Sequence, residues 1–310
     1  MTALTVRGLR VSFDHPLGLV RAVDDVSFEL PPNERFGLVG ESGSGKSTMA
    51  LAIMRMIRPP GHIDGGDILL GEKNLSILSA EEVRRTRLAG IAMVPQGSMN
   101  ALNPVMRVGD QVADAMRDHG KRPDAIDDLM ARVGLPAGTA EKYPHELSGG
   151  MKQRVCIAIA ICLRPTVIIA DEPTSALDVV VQRQVMRTLA DVQKDLNAAI
   201  LLIGHDMGLM AQFVDRLGVM YAGRLVEIAP IAEVVRRPRH PYTEMLIASL
   251  PSMDHKDALH GIPGLAPLLR DLPSGCAFHP RCPKAQDRCV SERPEAREVE
   301  GGVMVRCHFA

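Results

Sequence analysis

Nine residues, Gly40-Glu41-Ser42-Gly43-Ser44-Gly45-Lys46-Ser47-Thr48, constrain this chain more than any other stretch. They carry the spacing G-x-x-x-x-G-K-[ST], follow the apolar run Phe36-Gly37-Leu38-Val39 and lead into Met49-Ala50-Leu51-Ala52-Ile53-Met54. The apolar run reads as a buried strand and the second run as the first turns of a helix. In that setting the glycines let successive backbone N–H groups turn inward around a phosphate chain, and the helix N-terminus adds its partial positive charge. Lys46 then reaches the outer phosphates and the Ser47 hydroxyl is placed to ligate Mg²⁺, with Ser42 and Thr48 in the same loop. An ordinary Gly/Ser-rich turn has no need of these glycines, a lysine and a hydroxyl in register. The expected ligand is a nucleoside triphosphate with Mg²⁺.

Composition narrows what the chain does with it. With 310 residues, 46% of them hydrophobic and 24% charged, the chain can bury a core without staples. A net charge of -1 and the absence of Trp argue against nucleic acid, which calls for a basic stripe or stacking aromatics. No run approaches the ~18 apolar residues of a membrane span, and no leader is visible, so a cytosolic chain is expected whose membrane role comes through partners.

Two strand-like pieces, residues 9–13 and 23–30, precede the loop, joined by a turn with Pro16 and Gly18. Phe13 is either a plain strand aromatic or a stacking partner for a base. After the first helix, residues 65–71 read as a short strand, and residues 79–87 as a charged helix leading to a buried strand that ends at Gln96. Residues 108–133 are helical with a polar loop at 120–123, so that about 79–163 forms a helical insertion in an α/β core. Ser148, Gly149 and Gly150 open a helix and make a second anion-binding end. An apolar strand then ends in Asp171 and Glu172, where the first acid can hold Mg²⁺ through water and the second is aimed at the γ-phosphate. A tight turn ends at Asp178 before the next helix, and one more buried strand delivers His205 at its end.

The order and spacing of these motifs, across roughly residues 4–228, resemble the nucleotide-binding subunit of ATP-binding cassette (ABC) transporters. The resemblance implies a P-loop ATPase core with an antiparallel β N-terminal subdomain, a helical insertion and a small C-terminal extension, residues 1–230 being the cassette and 231–310 the extension. It also implies ATP held by residues 40–48 of one subunit and closed over by Ser148, Gly149 and Gly150 of a second ATPase subunit. Glu172 would be the general base, His205 a γ-phosphate contact, Gln96 a sensor of Mg²⁺ and water, Asp178 an interface residue and Phe13 the adenine-stacking ring. Met151 departs from the common signature, in which Gln stands at this place, and resembles the peptide-importer variant.

The last eighty or so residues specify the branch. His240-Pro241-Tyr242-Thr243, Ile262-Pro263-Gly264 and Leu272-Pro273-Ser274-Gly275-Cys276-Ala277-Phe278 resemble the C-terminal region of oligopeptide and dipeptide importer ATPases. That implies two transmembrane permease subunits, an extracytoplasmic peptide-binding protein and a peripheral position on the cytoplasmic face of the inner membrane. Nickel or another small ligand is the alternative cargo, and a soluble ATPase without a transporter the alternative class. Cys276, Cys282, Cys289 and Cys307 crowd the tail, whereas the body has only Cys156 and Cys162, which face apart on one helix and read as core. A cytosolic compartment disfavours disulfides. Gaps of five, six and seventeen residues are wide for zinc pairs and suit a [4Fe-4S] cluster better, with zinc or no metal as alternatives and His279 and His308 as reserve ligands.

Overall fold

The structure, a computed structural model, describes residues 2–97, 101–249 and 261–310. Its strands are β1 (Leu4–Phe13), β2 (Val20–Leu30), β3 (Arg35–Val39), β4 (Gly61–Leu70), β5 (Lys73–Asn74), β6 (Ile91–Val94), β7 (Val167–Asp171), β8 (Ala199–Ile203), β9 (Arg216–Tyr221), β10 (Arg224–Pro230), β11 (Arg297–Val299) and β12 (Val303–Val305). The helices are α1 (Lys46–Ile53), α2 (Ala80–Thr86), α3 (Val108–Arg117), α4 (Ile126–Arg132), α5 (Gly149–Ile161), α6 (Val179–Leu196), α7 (Met207–Phe213), α8 (Ile231–Arg236), α9 (Pro241–Ala248) and α10 (Asp287–Ser291). The chain divides into two compact units that interleave in sequence.

One unit comprises Glu29–Glu34 and Leu69–Ile203 with the residues before Thr5. Its sheet is parallel: β6 pairs with β7 from Ile91↔Val167, and β7 with β8 from Val167↔Ala199. Every residue of β7 and β8 is buried, which is why Val-Ile-Ile-Ala-Asp and Ala-Ile-Leu-Leu-Ile show no polar alternation: a parallel strand is covered on both faces. The helical insertion packs as the periodicity predicts. Helix α3 buries Val108, Val112, Ala113 and Met116 along one stripe, and the loop at 120–123 separates it from α4. Helix α2 starts at a reciprocal cap, with the Glu82 backbone N–H donating to Ser79 Oγ and the Ser79 backbone N–H donating to the Glu82 carboxylate at 2.9 Å.

The other unit comprises Thr5–Phe28, Arg35–Ile68 and Gly204–Ala310. Here β3 lies parallel to β9, β9 antiparallel to β10, and β10 antiparallel to β12 through Glu227↔Val305, with β11 beyond. A second sheet runs in the order β2, β1, β4. The rings of Phe28 and Phe36 stack with centroids 5.2 Å apart. The strands are longer than the sequence pattern suggests, β1 beginning at Leu4 and β4 at Gly61. The extension belongs to this unit: β11 and β12 add to the edge of its sheet, and Arg293 and Arg306 reach Asp24 and Asp25 on β2 at 3.1 and 2.9 Å. Burial alone would raise the Asp24 carboxyl, but the hydrogen bond and charge of Arg224, with Arg293, hold it below the usual range.

Helix α9 is capped by a buried His240, whose Nδ1 accepts the Tyr242 backbone N–H at 3.0 Å. Its burial pushes the imidazole from 6.5 to about 3. Between those values the unfolded chain takes up a proton that the folded chain refuses, so the contribution of neutral His240 is intact above about pH 6.5 and drains away as pH falls toward 3. His240→Asn keeps a cap acceptor and removes the titration. Urea unfolding at pH 7 and pH 4.5 should show a variant weaker by about 1–3 kcal/mol at pH 7 and a shallower fall on acidification; equal falls in both proteins would contradict this account.

Candidate functional site

The phosphate loop is shaped by glycines that neighbouring backbone leaves no room to replace. Gly40, Gly43 and Gly45 have φ of +154°, +77° and +102°. At two of these a side chain is excluded outright: a Cβ on Gly40 would stand 2.1 Å from the Met220 carbonyl oxygen, and one on Gly45 2.1 Å from that of Ala22. Lys46, the first residue of α1, is buried, and its Nζ donates to the Gly40 and Glu41 carbonyls at 2.7 and 2.9 Å and to Ser44 Oγ at 3.3 Å. The ammonium is thus folded back over the loop it serves. Ser42 and Gly43 are exposed, and Ser47 and Thr48 are half-buried in the first turn of the helix. Phe13 is half-buried too, its ring against Gly61, where a Cβ would come within 2.5 Å of the ring carbon Cε1. His205 is exposed, immediately ahead of Asp206, which caps α7 through the Leu209 N–H at 2.9 Å.

In the other unit β7 delivers Asp171, which is buried, and then Glu172, which takes a left-handed φ of +45°. A non-glycine residue there costs of order 1–3 kcal/mol and persists where its surroundings fix it. Two contacts do so: the Glu172 N–H donates to the Ile203 carbonyl at 2.9 Å, and Gln96 Nε2 donates to Glu172 Oε2 at 2.8 Å. The strained turn aims the carboxylate, and Gln96 holds one of its oxygens. The same unit presents the Ser148 turn. Ser148 caps α5, its Oγ accepting the Met151 N–H at 3.3 Å, and Asp178 caps α6 by accepting from Val180 and Val181, both at 3.0 Å. Gly150 packs so closely on α6 that a Cβ would sit 2.3 Å from Val181 Cγ1, and Val179 and Val180 beside it stay exposed. Gln96 with Glu172, and Gly150 with the head of α6, are juxtapositions that residue spacing does not reveal.

The cysteines are all free thiols. Cys156 is buried in α5, as expected of a core residue, and burial raises the Cys162 thiol to about 11. Cys276, Cys282, Cys289 and Cys307 line one cavity of about 60 Å³. The expected cluster finds no ligand set there, however: among the described residues no group of three or more His, Cys, Asp or Glu is placed to hold a metal ion. Burial, with the neighbouring thiols, pushes Cys276 and Cys282 upward. The reserve ligands are engaged on backbone carbonyls, His279 with Cys276 at 2.9 Å and His308 with Glu292 at 3.0 Å. Among the described residues no helix is long and apolar enough to cross a membrane.

Gly45→Ala should lose about 2 kcal/mol or more of stability and all nucleotide binding, since backbone at Ala22 has nowhere to go. Urea denaturation and a nucleotide titration check it; a stable, binding variant would show that the loop can be rebuilt.

Comparison with known proteins identifies the family. The family model described as "ABC transporter" matches residues 23–175, and that of the "Oligopeptide/dipeptide transporter, C-terminal region" matches residues 226–289. The chain is 42% identical to the dipeptide transport ATP-binding protein DppD of Escherichia coli, covering 100% of this chain and 97% of that protein. It is also 42% identical to a putative peptide import ATP-binding protein of Brucella ovis, covering 98% and 96%. Among solved structures, the ATP-binding cassette MJ0796, a dimer bound to ADP and Pi, shares the fold with a TM-score of 0.65 at 23% identity over 74% of this chain and 98% of that one. The cbiO1 protein of Clostridium perfringens, part of an ABC transporter complex, gives 0.64 at 26% identity over 76% and 91%. The chain belongs to the ATP-binding subunits of the oligopeptide and dipeptide branch of the ABC transporter family.

Proposed function

We propose that this chain hydrolyses ATP to drive import of dipeptides or oligopeptides through separate membrane subunits. The observation that carries the chemistry is Glu172, held at φ +45° with Gln96 donating to its carboxylate at 2.8 Å. In this reading Lys46 and the loop amides take the β- and γ-phosphates, and Ser47 and, through water, Asp171 are the residues that would hold Mg²⁺, which when bound would neutralise the developing charge. Glu172 accepts a proton from the attacking water, Gln96 orients that carboxylate, and His205 contacts the γ-phosphate. Phe13 is the base-stacking ring. The exposed Ser148 turn and its neighbours Val179 and Val180 form the surface offered to a second ATPase subunit, with Asp178 beside them.

The cargo reading rests on the peptide-transport relatives, whose similarity runs through the extension as well as the cassette. In this reading the protein works at the cytoplasmic face of the inner membrane, with two permease subunits and an extracytoplasmic peptide-binding protein. A further reading concerns the four tail thiols: their sharing of one cavity favours a [4Fe-4S] cluster closing there when iron and sulfide are supplied, with zinc as the alternative. Protein purified anaerobically would then be brown and carry iron with acid-labile sulfide; colourless, zinc-loaded protein would reverse the choice of metal.

Glu172→Gln should keep ATP binding within about twofold and lower hydrolysis by about 10²–10⁴, the usual contribution of a general base. Single-turnover hydrolysis with an equilibrium nucleotide titration measures both. Unchanged turnover would remove Glu172 from the role of base. Uptake of labelled dipeptides, longer peptides and Ni²⁺ by vesicles containing the assembled transporter tests the cargo.

A further inference from the structure

The cation that holds the phosphate loop from behind comes from the extension. Arg281 and Glu41, the second residue of the loop, form a two-pronged ion pair: Nη1 donates to Oε2 at 2.8 Å and Nη2 to Oε1 at 2.9 Å. The Arg281 side chain is 6% exposed and that of Glu41 27%. The guanidinium has a second set of partners. Its Nε donates to the Pro263 carbonyl at 2.8 Å and Nη2 reaches that of Ile262 at 3.4 Å, so it also grips the strap of residues 261–269. Residues 266–269 of that strap and residues 41–44 of the loop line a single cleft of about 310 Å³.

Glu41 is fixed from two more directions. Its backbone N–H donates to the Tyr242 hydroxyl at 2.9 Å, and its carbonyl accepts from Lys46 Nζ at 2.9 Å. Tyr242 is fully buried, its ring 4.6 Å from that of Tyr221 and 5.4 Å from that of Phe278. The anchor is therefore rigid, and the parts that it orders, loop and strap, face a cleft. A largely desolvated ion pair is a poor source of net stability, because the cost of removing both charges from water offsets their attraction, but it fixes geometry well.

We propose that Arg281 is a positioning residue for the phosphate loop: by clamping Glu41 to the 261–269 strap it holds the loop in its nucleotide-receiving form, so that ATP affinity depends on the C-terminal extension. The inference rests on reading residues 40–48 as the phosphate-binding loop. If the clamp goes, the loop samples other conformations, and apparent affinity falls by the fraction of time that it remains competent.

The test titrates the full-length protein with a fluorescent ATP analogue and Mg²⁺, alongside circular dichroism and thermal melting. Arg281→Gln and Glu41→Gln should each raise the Kd about tenfold, and the double variant no further, because both remove the same pair. In the assembled transporter KM for ATP should rise while kcat holds. A lowered melting temperature with unchanged Kd and KM, or additive losses in the double variant, would make the pair a structural bridge and overturn the proposal. Should Arg281→Gln fail to fold, Glu41→Gln alone decides, and failure of both to fold counts against the proposal. Lys46→Ala separates the two readings: loss of binding there beside a normal Arg281→Gln sinks this inference only, whereas normal binding in Lys46→Ala sinks the reading of the loop itself.

Discussion

A chain that wraps its backbone amides around phosphate must keep side chains out of the wrap, and here the exclusion is set by neighbouring backbone. The Met220 carbonyl closes off Gly40 and the Ala22 carbonyl closes off Gly45. Both carbonyls belong to strands, β9 and β2, so the loop's conformation depends on those strands being in place. This is why β3, which feeds the loop, is paired to β9 in parallel from Phe36↔Arg216 to Val39↔Val219: pairing at that register brings Met220 to Gly40. The loop is rigid because a sheet carries it, and glycine is required because the sheet comes so close.

Charge is handled by the same logic of fixed backbone. Lys46 lies buried with its ammonium on loop carbonyls, a set of bonds that phosphate oxygens can replace without a large rearrangement. Glu172 is fixed differently, by a left-handed φ of +45°, its N–H on the Ile203 carbonyl and the Gln96 amide on its carboxylate. The described contacts give Glu172 a neutral donor, Gln96, and give Glu41 a cationic one, Arg281. One carboxylate meets a side-chain amide, and the other is held in a two-pronged ion pair.

Much of this was legible in the sequence, for identifiable reasons. The loop, the Asp171-Glu172 strand end, the Ser148 turn and the α3–α4 pair stand out because each is a local pattern in which period or spacing alone carries the information. The sheet strands after His205 were not separated by the residue pattern. Glu227 interrupts the apolar run of β10 yet is fully buried, accepting the Arg239 and His240 backbone N–H groups at 2.9 Å, a compensation made by residues far along the chain. Strands β11 and β12 have three residues each, too few to show alternation. The pair Arg281–Glu41 spans 240 positions and has no sequence signature at all.

The tail cysteines show where spacing misleads and where it does not. Four thiols within thirty-two positions do converge on one cavity, so the crowding in sequence reflects crowding in space. What spacing cannot supply is the direction in which each sulfur points, and among the described residues no three form a ligand set. Two of the thiols, Cys276 and Cys282, bracket the short turn His279–Arg281, whose start is tied by the His279 N–H to the Cys276 carbonyl at 3.0 Å and whose end is tied by the Cys282 N–H to the His279 carbonyl at 3.2 Å. That turn presents Arg281. The cysteine-lined cavity and the phosphate loop are thereby joined through Arg281, and also through Phe278 and Tyr242, so the extension is as much a part of this unit as β3 and α1.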